Sequence, residues 1–184
     1  MSDKHVQLKQ RDCVAVFTEQ GNESIHPVLK RILSARNVTS TQQFDYRLDK
    51  LIPPSSITQL QDAAEWLAGH MKRQSSILIV GDYDADGATS TALCMRALHQ
   101  LGHSRVTFLL PDRFTDGYGL SVQIAKRIVV MKPDLVITVD TGIASFKGIE
   151  CLRQASIDVI VTDHHLPAAQ LPQANFIVNP NIYD

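Results

Sequence analysis

Residues 77–93 read ILIVGDYDADGATSTAL, and this stretch decides the fold class of the chain. The apolar run ILIVG predicts a short buried strand. Gly87 permits a sharp turn into the helix that the following residues predict. Between the two, Asp82, Asp84 and Asp86 alternate along an extended chain, so their side chains point broadly to one side. The stretch therefore predicts a strand that ends in carboxylates and opens into a helix.

The same alternation continues along the rest of the chain. Further short apolar runs are VTFLL at 106–110, LVITV at 135–139, VIVT at 159–162 and FIV at 176–178. Helical stretches separate the first four runs, at 89–102, 121–131 and 145–155. Strands that alternate with helices predict an α/β fold with a parallel β-sheet and helices on both faces. Ligands of such sheets bind at the carboxyl ends of the strands.

Residues 1–55 differ from the rest of the chain and predict a small helical N-terminal segment. In SIHPVLKRILSARNV, residues 24–38, apolar side chains recur at the spacing of a one-faced helix. The segment IPPSS, residues 52–56, predicts a hinge. We expect the α/β domain at residues 56–184, beginning with a helix that Ser56 or Thr58 caps and that buries Trp66.

Composition limits the class of protein. The 184 residues carry a formal net charge of -1, which argues against a general binder of polyanions. The three cysteines form no CxxC pair, which disfavours a zinc knuckle or a disulfide framework and favours a reduced cytosolic compartment. The first residues lack the apolar core of a signal peptide, and no apolar run reaches the roughly 18 residues that span a bilayer. We expect a soluble cytoplasmic protein without membrane association.

Two alternative readings of the acidic loop carry no catalytic chemistry. On the template of an EF-hand calcium loop, Asp82, Asp84, Asp86 and Gly87 match, but Leu93 stands where a bidentate glutamate is needed. The loop also follows an apolar run typical of a strand, whereas an EF-hand loop follows a helix. A solvated loop that caps a helix explains one or two aspartates. Three would repel one another without a cation, so a cation site is favoured.

Two other predicted strands end in residues of the same kind. Asp140 directly follows the third strand, and Asp163, His164 and His165 directly follow the fourth. One aspartate after a strand is often only a helix cap, but three strand ends of one sheet deliver carboxylates and imidazoles to one edge. Carboxylates with imidazoles suit Mn²⁺ or Mg²⁺, and the number of acidic groups favours two ions.

The remaining candidates divide metal binding from phosphate binding. Because His164 and His165 are consecutive, we expect one to bind metal and the other to contact phosphate, with Asp163 orienting an imidazole from behind. The N–H groups at the start of the helix, with Thr89 and Ser90, are candidates for holding phosphate. The isolated histidines at 26, 70, 99 and 103 have no partner at ligand spacing, and we expect them at the surface or at helix caps.

These motifs resemble those of the DHH phosphoesterase superfamily: DYDADG at 82–87, the aspartate of TVDTG at 138–142, and DHH at 163–165. Within it the chain is similar to the RecJ family of single-strand-specific exonucleases. The segments that carry this closer likeness are HPVLKRILSAR at 26–36, LIPPS at 51–55, PDRFTDGYGLS at 111–121, TDHHLP at 162–167 and VNPN at 178–181.

The resemblance implies stepwise 5′-to-3′ hydrolysis of single-stranded DNA with Mn²⁺ or Mg²⁺, in DNA repair and recombination. It also implies single-stranded DNA and a single-strand-binding protein as partners. The implied metal ligands are Asp82, Asp84, Asp86, Asp140, His164 and His165, and all except Asp82 are the implied catalytic residues. Arg113 is the expected phosphate contact, and Tyr118 is the candidate for stacking on a base. Without the resemblance, an ion pair of Arg113 with Asp112 or Asp116 explains that arginine equally well.

The chain departs from the family pattern at three places. Asp112 precedes Arg113 where the family more usually has asparagine, and Thr141 replaces the asparagine of the commoner DNG. The chain ends at VNPNIYD, whereas the family continues with another metal-ligating aspartate and a second domain, so we expect an N-terminal fragment. Two alternatives stay open: a DHH phosphoesterase acting on short oligonucleotides or cyclic dinucleotides, and a nucleic-acid-binding module without catalysis.

Overall fold

Five parallel strands form the centre of the chain. In the computed structural model, the described residues are Phe17, 25–117 and 119–182. The strands are β1 Ile77–Gly81, β2 Val106–Leu109, β3 Leu135–Val139, β4 Asp158–Thr162 and β5 Phe176–Val178. All neighbours pair in parallel, in the order β2-β1-β3-β4-β5. The predicted parallel α/β fold is confirmed, and each strand lies within one residue of the expected run.

Helices cover both faces of this sheet, as predicted. The helices α2 Leu60–Lys72 and α3 Ala85–Gln100 pack on one face, where Ile77 and Ile79 of β1 point. The helices α4 Val122–Met131 and α5 Phe146–Gln154 pack on the other face, where Leu78 and Val80 point. Every residue of β1 and β3 is therefore buried, which explains why these strands read as continuous apolar runs.

The chain divides into two compact units, Met1–Ile52 and Pro53–Asp184. In the described part of the first unit, the helix α1 spans Pro27–Ser34, and short 3₁₀ turns follow at Thr41–Phe44 and Leu48–Lys50. His26 caps α1, because its Nδ1 accepts the N–H of Val28 at 3.3 Å. The predicted helix and the capping role of this histidine are both confirmed. Tyr118 lies outside the described residues.

Three local predictions about α2 and the histidines are wrong. The N-cap of α2 is Gln59, in the left-handed region at φ 60°, and neither Ser56 nor Thr58 caps the helix. The Gln59 side chain instead accepts the N–H of Ile177 in β5 at 2.8 Å, so a distant contact sets this helix start. His70 and His103 are buried, not at the surface, and Trp66 stays 40% exposed while it packs against Phe176.

Strand register brings the predicted site residues side by side. Gly81, Val139 and Thr162 are the paired last residues of β1, β3 and β4. The next residues along each chain segment are Asp82, Asp140 and Asp163, so the three carboxylates leave the sheet at the same level. β1 and β3 are also the neighbours between which the strand order reverses, the place where open parallel sheets bind ligands. Within the described chain, no helix is long and apolar enough to cross a bilayer.

Candidate metal centre

The acidic loop after β1 is shaped by its own main chain. Asp84 is the N-cap of α3, and its Oδ1 accepts the N–H groups of Asp86 and Gly87, both at 3.0 Å. The Gly87 hydrogen bond is the main reason why the pKa of Asp84 is lowered, so this carboxyl is held ionised. Asp82 is 2% exposed, and its Oδ1 accepts the N–H of Tyr83 at 2.7 Å.

Gly87 lets this loop lie directly against β1. A Cβ at position 87 would overlap the main-chain nitrogen and carbonyl group of Asp82. No other residue type therefore fits without moving the start of α3 away from the strand. The glycine sets how closely the first turn of the helix approaches the carboxylates.

Two groups of side chains meet the geometry of a metal site. Asp140, His164 and His165 each offer a ligand atom within 4.8 Å of the others, and so do Asp82, Asp84 and Asp140. Asp140 belongs to both groups, which is the arrangement expected of a carboxylate between two neighbouring cations. Asp86, an expected ligand, belongs to neither group. Its exposed side chain lies in the first turn of α3, beside the cavity described below.

The electrostatics of Asp140 fit a cation. This residue follows β3 with φ 60°, and it is 9% exposed. Burial raises the pKa of Asp140, and the negative charge of Asp84 raises it further, while His164 acts in the opposite direction. Burial and the charge of Asp84 thus both disfavour the ionised form of Asp140, and His164 offsets them only in part. A divalent cation at this position would supply the missing positive charge.

The two consecutive histidines contact different aspartates. The Nε2 of His164 lies 2.9 Å from Asp140 Oδ1, and the Nδ1 of His165 lies 2.7 Å from Asp163 Oδ1. The hydrogen bond from Asp163 raises the pKa of His165, with further contributions from the charges of Asp163, Asp140 and Asp82. The imidazole of His164 thus contacts Asp140, the carboxylate shared by both groups, and the imidazole of His165 contacts Asp163.

The carboxylate of Asp163 accepts hydrogen bonds from nearby backbone N–H groups. Its Oδ1 accepts the N–H groups of His164 and His165 at 2.7 and 3.0 Å, and its Oδ2 accepts the N–H of Ile143 at 2.9 Å. A carboxylate with this many donors orients the residues around it and has little capacity left for a metal ion. This geometry agrees with the expected supporting role of Asp163.

Sequence reasoning missed the asparagines that hold the histidine loop. The Nδ2 of Asn179 donates to the carbonyl of His165 at 2.9 Å, and the Nδ2 of Asn181 donates to the carbonyl of His164 at 2.6 Å. Both asparagines belong to the VNPN segment at 178–181, which resembles the corresponding segment of the family. The sequence shows the two asparagines, but only the fold shows that this segment lies beside residues 164 and 165.

Arg113 lies next to the acidic loop, stacked on an aromatic ring. Its guanidinium carbon is 4.8 Å from the centre of the Tyr83 ring. The alternative that pairs Arg113 with Asp116 is wrong, because Arg127 of α4 binds Asp116 at 2.9 Å. Asp112 is likewise engaged, since its Oδ1 accepts the N–H of Phe114 at 2.8 Å. Tyr83 and Arg127 are two further residues that the sequence did not single out.

Thr89 and Ser90 line a cavity of about 470 Å³ on the α3 side of the sheet. Asp86, Asp140 and His164 line the same cavity. The Thr89 hydroxyl donates to the carbonyl of Ala85 at 2.8 Å, so its hydrogen is used in a bond within α3. The structure therefore brings both residues beside the metal ligands, and their role toward phosphate stays a prediction.

Comparison with known proteins agrees with this geometry. The pattern that defines the "DHH family, N-terminal domain" matches residues 76–184. The chain belongs to the DHH family. The matched region contains the whole sheet and every ligand of the two candidate metal groups, so the DHH resemblance expected from the motifs is confirmed.

Relatives within the DHH family are named as exonucleases. The chain is 45% identical over 159 residues to the single-stranded-DNA-specific exonuclease RecJ of Haemophilus influenzae, covering 86% of this chain and 28% of that protein. It is 39% identical to RecJ of Escherichia coli, covering 98% of this chain and 31% of that protein.

A solved structure of exonuclease RecJ bound to manganese matches with a TM-score of 0.64 at 34% identity. It covers 71% of this chain and 33% of the solved one. The chain thus spans about 30% of the length of the curated relatives, matching their N-terminal part.

Proposed function

We propose that this chain carries the metal centre of a single-stranded-DNA-specific exonuclease that removes nucleotides in the 5′-to-3′ direction. The observation that carries the proposal is Asp140, which is shared by two groups of potential metal ligands. The names of the relatives support the substrate, and the manganese-bound structure supports the metal. The polarity of digestion rests on the family resemblance alone.

The ligand set suits Mn²⁺ or Mg²⁺, because it contains carboxylates and imidazoles without thiolates. One ion would be held by Asp140 with His164 and His165, and the other by Asp140 with Asp82 and Asp84. Asp86 is a proposed additional ligand. When bound, the two cations neutralise the charge on a phosphodiester and lower the barrier to its attack by water.

We expect protein groups around this centre to contact the phosphates and bases of the strand. Arg113 presents a planar fork that can pair with two phosphate oxygens, and Tyr83 keeps that fork beside the acidic loop. The Nδ1 of His165 is held by Asp163, so its Nε2 serves either as a metal ligand or as a donor for a phosphate oxygen, and the phosphate contact applies where His164 alone binds the ion. Phe114 is 92% exposed in the same loop as Arg113 and offers a surface on which a base can stack. Tyr118 stays a proposed stacking residue on the family resemblance alone.

We infer that the enzyme acts in the cytoplasm, in DNA repair and recombination. A single-strand-binding protein is the proposed partner that delivers the strand. Both statements rest on the family resemblance alone.

Manganese titration tests the centre. We expect two ions per chain by isothermal calorimetry. Asp140→Asn should weaken both binding steps by about tenfold or more, whereas Asp82→Asn should weaken only one. One binding step that Asp140→Asn leaves unchanged would contradict the shared-ligand arrangement.

Digestion tests the substrate. With Mn²⁺ present, a long single strand labelled at its 5′ end should release labelled mononucleotides, and a duplex of the same sequence should not. A labelled dinucleotide serves as the matched small substrate. Rapid cleavage of the dinucleotide with no release from the long strand would replace the proposal by a phosphoesterase of short oligonucleotides.

A further inference from the structure

The loop that carries both candidate imidazoles, residues 163–165, is held by two side chains from the segment after β5. Asn181 donates to the carbonyl of His164 at 2.6 Å. Asn179 donates to the next carbonyl of the loop, that of His165, at 2.9 Å. A carbonyl carbon is bonded directly to the Cα of its residue, so holding these two carbonyls also fixes the points from which the two imidazoles project.

Asn179 is also tied to its own segment, which restricts its orientation. It is 0% exposed, and its Oδ1 accepts the N–H of Asn181 at 2.8 Å. Its carbonyl accepts the N–H of Ile182 at 3.1 Å, which closes the turn that contains Pro180. The amide thus uses its acceptor within the segment and its donor on the histidine loop, a combination that neither an ionised aspartate nor an alanine provides. A buried amide with both ends bonded is held in one orientation and can therefore place the loop.

The other group of candidate ligands is supported from a different part of the chain. Asp82 and Asp84 accept N–H groups of residues 83–87, which belong to the acidic loop after β1. Asp140, which both groups share, follows β3. None of these hydrogen bonds involves the segment at 179–181. A change in that segment should therefore disturb one group of ligands and spare the other.

We propose that Asn179 is a positioning residue for one of the two ions, the ion that Asp140 would share with His164 and His165. By holding the carbonyl of residue 165, it sets where both imidazoles lie relative to Asp140, which is 2.9 Å from the Nε2 of His164. Ligand distances in metal sites keep to within about 0.2 Å, and loss of a group that orients a ligand typically lowers metal affinity about 10- to 100-fold. The inference rests on the proposed function, which supplies the ions, and adds that the two ions have separate supports.

Manganese titration on two backgrounds tests this assignment. Asp82→Asn weakens the ion at the acidic loop and leaves the histidine-bound ion to be measured, and on that background Asn179→Ala should weaken binding about tenfold. His164→Ala removes a ligand of the histidine-bound ion, and on that background Asn179→Ala should leave the remaining affinity unchanged to within about twofold. A general loss of packing would lower the affinity on both backgrounds alike, so the difference separates positioning from structural support.

Asn175→Ala is the matched control, because it is the same substitution at the other end of β5. The Asn175 side chain also ties this segment to β4, since its Oδ1 accepts the N–H of Val159 at 2.8 Å, but it does so at the amino end of the strands. The control should lower the melting temperature without changing either manganese affinity. Asn181→Ala, on a partly exposed side chain, should weaken the same ion as Asn179→Ala, and it keeps the inference testable if the buried change unfolds the chain.

Hydrogen exchange in EDTA gives a readout that needs no metal. The N–H groups of His164 and His165 both donate to Asp163, so their protection reports whether the loop keeps its position. Asn179→Ala should speed their exchange about tenfold, and Asn175→Ala should not. Unchanged exchange in Asn179→Ala, or equal loss of both manganese affinities, would overturn the inference. If the wild type binds no manganese, the proposed function fails, while the exchange rates still decide whether Asn179 positions the histidine loop.

Discussion

Asp140 combines two properties that are unfavourable in an apo protein. It is buried at the end of β3, and it lies near the ionised Asp84. Both properties favour its protonated form, so its contribution to stability is fully present below its unfolded pKa and is lost as pH rises through its raised folded pKa. At neutral pH without metal, the residue therefore costs stability that a bound cation would restore.

Asp140→Asn should stabilise the metal-free protein. The amide removes the charge repulsion with Asp84, and we expect a melting temperature about 2 °C higher at pH 7 in EDTA. Added Mn²⁺ should reverse the ranking, because the wild type binds the metal more tightly and is stabilised more by it. A lower melting temperature of the variant in EDTA would contradict the electrostatic strain assigned to Asp140.

His165 should report the charge of Asp163. The hydrogen bond to Asp163 raises the pKa of His165 above its ordinary value of 6.5. Stabilisation by this pair is fully present below that ordinary pKa and is lost as pH rises through the higher folded pKa. In Asp163→Asn, the NMR titration midpoint of His165 should move down toward 6.5. The exposed His99 serves as the internal control, and parallel movement of both histidines would refute the assignment.

At the scale of elements, the strands were predictable because the apolar runs that form them are visible in the local sequence. β1 and β3 are buried on both faces, so every residue is apolar or small, and sequence reasoning gave their exact bounds. The start of α2 was not predictable, because the Gln59 side chain accepts a hydrogen bond from the N–H of Ile177, which lies far along the chain. For the same reason, Arg127 and the asparagines at 179 and 181 were missed: each acts on a segment that only the fold brings near.

The conformation of the loop at 112–117 should depend on an ion pair with α4. Asp116 accepts both Arg127 and the N–H of Asp112, at 2.9 Å each, and so ties the loop that carries Arg113. Arg127→Gln should increase protease cleavage within the loop and weaken single-strand binding about fivefold. Lys126→Gln, an adjacent exposed change on the same helix, should do neither. Equal behaviour of the two variants would show that the ion pair does not organise the loop.

Gly87→Ala should disturb the approach of α3 to β1. The added methyl group overlaps the main chain of Asp82, so we expect about 3 kcal/mol lower free energy of unfolding by denaturant titration. Gly69→Ala is the matched control, because its methyl group would meet only the end of the Arg73 side chain, at 3.3 Å. That change should be neutral or stabilise α2 by up to about 1 kcal/mol. A neutral Gly87→Ala would contradict the close approach.

At the scale of the whole molecule, the site is a product of topology more than of any single motif. The strand order places β1 between β2 and β3, and the register aligns the ends of β1, β3 and β4. Sequence reasoning predicted that these ends converge, since parallel strands share a carboxyl edge. The sharing of Asp140 and the separation of Asp86 from both ligand groups required coordinates, because side-chain direction in a loop has no sequence period.

The two asparagines after β5 have a consequence for the order in which the centre is assembled. Asp82 leaves the ribosome about 100 residues before Asn181, yet Asn181 and Asn179 fasten the loop that carries both imidazoles. The loop that carries both imidazoles can therefore reach its final position only after residues 179–181 have been synthesised. If a cation binds through these imidazoles, its capture follows the synthesis of this segment, long after the acidic loop has left the ribosome.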